Sequence, residues 1–206
     1  MRPLARLLQI HEGTPRGPSP TFERAHLLLA FITIGESGAI GRHALAAGLG
    51  IGEGAVRTVL KRLREESLVD VDASGCHLAR GGGQVYHSLR KKLSPLVLVE
   101  PSKLTVGAAQ VAICVRGSGR AVKGGIEQRD LAINVGAAGA TTYVVHGTKF
   151  TIPGGSDDCE RDFPGKAWTV LRKELNPSNG DAVILCGSER EDTARLGALS
   201  AALSLL

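Results

Sequence analysis

Residues 51–69, IGEGAVRTVLKRLREESLV, decide how the first half of the chain is read. Ala55, Val56, Val59, Leu60 and Leu63 recur at helical spacing, so the segment is predicted to be a helix with an apolar stripe turned to a core. Arg57, Lys61, Arg62 and Arg64 crowd the rest of its surface. That pattern fits two roles: a charged face that merely meets water, or a helix laid against a polyanion. The segment's surroundings separate them.

Upstream, His26 to Ile34 supply an apolar helix that Thr21 can cap and that is predicted to stop at Gly35. A second short helix over Gly41–Ala47 follows, with Arg42 at its start, and Gly48-Leu49-Gly50 turns into the third. Downstream, Leu68, Val69 and Val71 alternate with polar residues, Ala73-Ser74-Gly75 turns the chain, and His77-Leu78 leads back as a hairpin. Gly81–Gly83 mark a break, and Gln84–Leu93 read as a fourth helix closed by Ser94-Pro95. A short helix, a glycine turn, a basic helix and a hairpin in that order make a winged helix-turn-helix, in which the second helix of the pair enters the major groove of double-stranded DNA.

Candidate DNA contacts follow from that placement. Arg57, Thr58 and Lys61 are expected to approach bases, with Glu53 on the same outer surface and Arg42 beside it. Arg62 and the wing residues Ser74, His77 and Arg80 are expected to hold phosphates, and Arg64, Glu65 and Glu66 to form a solvated end. Charge agrees. Through Ser94 there are 13 Lys or Arg against 8 Asp or Glu, whereas from Pro95 onward there are 12 of each, so the excess of +5 lies in the first half.

The chain of 206 residues suits two small domains. Residues 1–20, ending in GTPRGPSP, are predicted to be a flexible arm, 21–94 the winged helix, and 95–206 a two-layer α/β sandwich that binds an effector or dimerises, giving an α+β protein. Aromatics at 3% leave the cores to Val, Leu, Ile and Ala. No apolar run is long enough for a membrane span, so a cytoplasmic protein is expected. Cys76, Cys114, Cys159 and Cys186 are too dispersed for a zinc site or a disulfide framework, and no cofactor is implied.

Residues 41–93, GRHALAAGLGIGEGAVRTVLKRLREESLVDVDASGCHLARGGGQVYHSLRKKL, resemble winged-helix transcription regulators of archaea and bacteria. In many of these a Leu-Thr-x-x-Gly element starts the helix after the wing, and here Ala79 stands in place of the threonine. Residues 124–155, GGIEQRDLAINVGAAGATTYVVHGTKFTIPGG, carry a Glu-Gln-Arg-Asp helix start and a Gly-Ala-x-Gly-Ala-Thr-Thr strand start. With the upstream half they resemble an uncharacterised archaeal family whose second domain looks like the GAD-type insert of aspartyl-tRNA synthetases. The resemblance implies a regulatory role and no particular ligand.

In that second half, Glu127, Gln128, Arg129 and Asp130 open a helix behind Gly124-Gly125, where backbone N–H groups favour an anion unless the carboxylates satisfy them first. Gly139, Thr141 and Thr142 can face a small-molecule effector or simply fit a strand. Asp157, Asp158, Glu160 and Asp162 have no metal-loop spacing. No catalytic trio stands out, and the expectation is a regulator rather than an enzyme. A homodimer is expected, joined through helix four or the Leu/Ala-rich helix at 192–206. The alternative is an enzyme or small-molecule-binding α/β protein that uses the winged helix to dock protein or RNA.

Overall fold

The computed structural model describes Leu7 and residues 22–206. Of the expected arm only Leu7 is among them, and it is buried; the expected cap Thr21 lies outside them. The chain divides into two compact units between Arg90 and Lys91.

The first unit runs α1 (Arg24–Ser37), β1 (Ala39–Ile40), α2 (Arg42–Leu49), α3 (Glu53–Glu65), β2 (Val69–Asp72), β3 (Gly75–Leu78) and α4 (Arg80–Arg90). Glu23 is the N-cap of α1, and its N–H donates to Nδ1 of His26 at 2.9 Å. Ala25 to Ile32 and Ile34 are all buried, so α1 is the central rod of this core. The helix passes through Gly35, the predicted stop, and ends at Gly38, whose φ of 71° reverses the chain. Gly35 instead makes room for a ring: a Cβ there would lie 2.4 Å from Tyr86 of α4.

The stripe read on α3 is buried at Val56, Val59, Leu60 and Leu63, with Ala55 half-buried at its edge. Each such side chain contributes about 1.5–3 kcal/mol by leaving water. The hairpin pairs Val69 with Leu78 and Asp72 with Gly75, and β1, too short to read in the sequence, adds a third strand in the order β1-β3-β2. This helix-and-sheet order is consistent with a winged helix.

One expectation fails instructively. Gly81–Gly83 do not break the chain but form the first turns of α4. Gly82 is buried, and a Cβ on it would fall 1.9 Å from the carbonyl oxygen of Leu68, so the helix crosses the start of β2 at a distance only glycine permits. Gly83 has open space around its would-be Cβ. Gly82→Ala is therefore expected to destabilise the domain by about 1–3 kcal/mol, and Gly83→Ala to stabilise it by up to about 1 kcal/mol. Urea midpoints compared at constant slope separate the two; equal effects would contradict the close crossing.

Helix α4 stops at Arg90, short of the predicted Leu93, because the next residues join the second unit. Leu93 bridges Val115, and Ser94 N–H donates to the carbonyl of Cys114 at 3.0 Å. That unit contains β4 (Val97–Val99), β5 (Ala109–Val115), α5 (Ile126–Asn134), β6 (Gly139–His146), β7 (Lys149–Thr151), α6 (Cys159–Asp162), α7 (Ala167–Leu175), β8 (Ala182–Ser188) and α8 (Glu191–Leu203). The strands form one antiparallel sheet in the order β4-β5-β8-β6-β7.

Helices α5 and α8 lie together on one face of this sheet. On the other, α7 closes a core of Ala112, Cys114, Tyr143, Val145, Phe150, Val183 and Leu185 around Trp168. Three of the chain's seven aromatics gather here: the rings of Tyr143 and Phe150 each lie 5.1 Å from that of Trp168. Both faces of β8 are covered, which is why every residue of that strand is buried. Cys76, Cys114, Cys159 and Cys186 are buried free thiols.

Candidate nucleic-acid interface

Helix α2 ends at Gly50 in the left-handed conformation, and Gly52 then caps α3. This turn leaves the outer surface of α3 uncovered. Arg57, Lys61 and Arg64 stand at i, i+4 and i+7, so they form one exposed row along the helix. With Arg42 from the start of α2 they line an open concavity of about 550 Å³, floored by Leu60 and bounded on the strand side by Asp70 and Val71. Glu65 lies on the same wall, 3.9 Å from the ammonium of Lys61. Four cations thus converge where α3 meets the hairpin sheet.

Arg64 was expected in the solvated end, yet it completes the row. Its signal was the i+7 spacing from Arg57, obscured by the neighbouring Glu65 and Glu66. Arg62, expected on a phosphate, turns the other way. Its guanidinium lies 5.1 Å over the ring of Phe22, and its Nη1 is buried without a hydrogen-bond partner. Position 62 falls on the flank beside the buried stripe, so its long stem is drawn to apolar surface.

Thr58 is exposed and its hydroxyl donates back to the carbonyl of Gly54 at 3.3 Å. Glu53, in the first turn of α3, meets Nδ1 of His43 at 3.2 Å, a residue the sequence reading overlooked. On the wing, the N–H and hydroxyl of Ser74 both donate to Oδ1 of Asp72, at 2.8 and 2.6 Å. Those bonds, the hydroxyl's first, hold the Asp72 carboxyl below its ordinary pKa. The tip is therefore a preformed, negatively charged turn. His77 sits mid-sheet rather than at the tip, half-buried, opposite both Ala39 and Asp70, with Nε2 3.9 Å from Asp72 and Nδ1 buried without a partner. With its Nε2 turned to the Asp72 carboxylate and its Nδ1 buried, His77 is poorly placed for a phosphate. Arg80 is the exposed first residue of α4.

The residues singled out in the second unit are dispersed. Gln128 is buried and donates to Ser204 at 2.8 Å, bracing α5 to the end of α8. Arg129 pairs with its neighbour Asp130 at 3.0 Å, and Glu127 is exposed. Thr141 donates to the carbonyl of Leu104 at 2.7 Å, Gly139 is buried beside Val106, and Thr142 is buried beside Gly125. Gln128 and Thr141 thus serve the fold. Three carboxylates of the acidic run are likewise paired: Asp158 binds Lys149 at 2.9 Å, Asp162 binds Arg161 and Ser156, and Glu160 binds Arg172. Among the described residues no group of three or more His, Cys, Asp or Glu is arranged for a metal ion, and no helix is long and apolar enough to cross a membrane.

Comparison with known proteins follows the same division. Residues 22–93 match the family described as the CggR N-terminal DNA binding domain, and residues 106–205 match a domain of unknown function, DUF4443. The solved structure of a hypothetical protein from Pyrococcus horikoshii OT3 is similar at 25% identity with a TM-score of 0.72, over 89% of this chain and 92% of that one. No curated protein matches the chain.

Proposed function

We propose that the chain is a DNA-binding transcription regulator that sets α3 into the major groove and uses its second domain to sense a small molecule or to dimerise. The observation that carries this reading is the row Arg57, Lys61, Arg64 on the open face of α3, joined by Arg42 in one concavity. Thr58 and the small Gly54 at the N-terminal half of that face let the helix approach base edges, where Arg forks onto guanine and a threonine methyl meets thymine. Similarity of residues 22–93 to a regulator's DNA-binding domain supports the same assignment. Likeness of the second domain to GAD-type inserts and a cytoplasmic location belong to this proposal.

One winged helix buries little surface, so tight binding calls for two copies on paired half-sites. Burial of Ala194 and Leu196 to Ala202 within their own domain weighs against helix α8 as the joint.

Salt dependence is the test. Binding through phosphates releases counterions, and each contact adds about 0.9 to the slope of log affinity against log salt. Arg57→Ala with Lys61→Ala is expected to lower affinity at every salt concentration, and to lower that slope by up to about two to the extent that the two cations also neutralise phosphates. An unchanged slope and affinity would overturn the placement of α3 on DNA.

A further inference from the structure

A second site is built into the α/β domain, where a helix start lacks its cap beside a hydroxyl that lacks its partner. Gly125 is the N-cap of α5, in the left-handed conformation with φ of 79°, and no side chain caps the helix. The first backbone bond onto this turn is Arg129 N–H to the carbonyl of Gly125 at 3.0 Å, which leaves the N–H groups of Ile126, Glu127 and Gln128 outside the ladder. The side chain nearest the cap is Thr142 of β6. Its Oγ1 lies 3.6 Å from where a Cβ of Gly125 would stand. Thr142 is 3% exposed, and its hydroxyl has no hydrogen-bond partner. A buried hydroxyl left unpaired is destabilising, so its retention beside an open helix start asks for an acceptor.

We propose that this corner binds the phosphate group of a small phosphorylated molecule. Phosphate oxygens accept from the free N–H groups of the first turn and from Thr142, and the helix dipole favours their charge. Glycine at 124 and 125 keeps the approach clear: nothing lies within 4 Å of a would-be Cβ on Gly124. Arg120 and Lys123 precede the helix and are exposed, setting two positive charges against the one carboxylate of Glu127, since Arg129 and Asp130 pair with each other. Ile126, 62% exposed at the first position of the helix, offers apolar surface to the rest of the ligand. This site rests on the reading of the second domain as a sensor and names what it senses.

The test is a titration of the full chain with inorganic phosphate, against sodium chloride of equal ionic strength, read from backbone amide shifts. The amides of Ile126, Glu127 and Gln128 are expected to move to saturation with phosphate only. Thr142→Val, which keeps the side chain's shape, is expected to weaken binding on the order of tenfold or more; Thr142→Ser is expected to retain it, and Lys123→Ala to weaken it severalfold. No saturable shift in the parent chain, or a Thr142→Val variant that titrates like the parent, would overturn the site. Should Thr142→Val not fold, the parent titration and Lys123→Ala decide alone. The readout contains no DNA, so its failure leaves the assignment of α3 standing.

Discussion

Replacing Arg57, Lys61 and Arg64 together by alanine is expected to lower affinity for the cognate DNA on the order of a hundredfold or more, with the first domain still folded. The three side chains are exposed, so none supports the core. Each base-reading or phosphate contact at such a helix contributes about 1–3 kcal/mol, and three act in one row. Arg62→Ala provides the contrast. It removes the cation held over Phe22, an interaction of about 0.5–1 kcal/mol with further packing from the stem, so stability falls while DNA affinity changes little. Fluorescence anisotropy for binding and urea unfolding for stability measure both. If Arg62→Ala weakened DNA binding as much as the triple substitution without loss of stability, the division of basic residues between groove and core would be wrong.

Asp181→Ala is expected to cost the second domain about 3–5 kcal/mol, because it strips acceptors from a buried cluster. The Asp181 carboxylate accepts from the N–H groups of Gly117 and Ser178, both at 2.8 Å, and from the Arg116 guanidinium at 3.0 Å. Arg116 in turn donates to the carbonyls of Leu175 and Asn176 at the end of α7, so one carboxylate ties β5, β8 and α7 together. Burial pushes the Asp181 carboxyl up, but the two N–H groups and the guanidinium outweigh it, and its pKa lies below the ordinary 3.8. A depressed carboxyl stabilises the fold at pH above its unfolded value and loses that contribution as pH falls through its folded value. Asp181→Asn is therefore expected to flatten the decline in stability below about pH 4, measured by denaturant midpoints across acid pH. A parallel pH profile in parent and variant would contradict the role given to this carboxylate.

Periodicity carried much of the fold because it reports burial directly. The apolar stripe of α3 and the alternation through Val69 and Val71 both survive in the structure with shifts of one or two residues at their ends. What sequence reading missed were contacts between distant positions. Glycine reads as a break by local rules, yet Gly35 and Gly82 lie within helices because Tyr86 and the backbone at Leu68 pass beside them. Strand β1 is two residues long, and only its partner in the hairpin defines it.

The candidate site shows the same limit at the level of single side chains. The exposed positions of Arg57 and Lys61 were legible from the helical spacing, since no core contact draws them from the outer face. Arg62 and Arg64 exchanged roles because the choice depended on Phe22, 40 residues upstream, and on acidic neighbours that charge counting overweighted. His77 was expected to hold a phosphate from the returning strand, whereas the third strand places it mid-sheet between Ala39 and Asp70. In the second domain a run such as Glu127–Asp130 looked like one ligand-facing cluster, but a helix sends successive side chains to different sides. Gln128 therefore went to the core while its neighbours stayed outside.

The most direct test of the central claim is selection of bound sequences from a random pool of double-stranded DNA, performed in parallel with the parent chain and the Arg57/Lys61/Arg64 triple alanine variant. A regulator that reads the groove with α3 enriches one short consensus, repeated where two copies bind, and the variant enriches none. Absence of any consensus with the parent chain, or the same consensus with the variant, would contradict it.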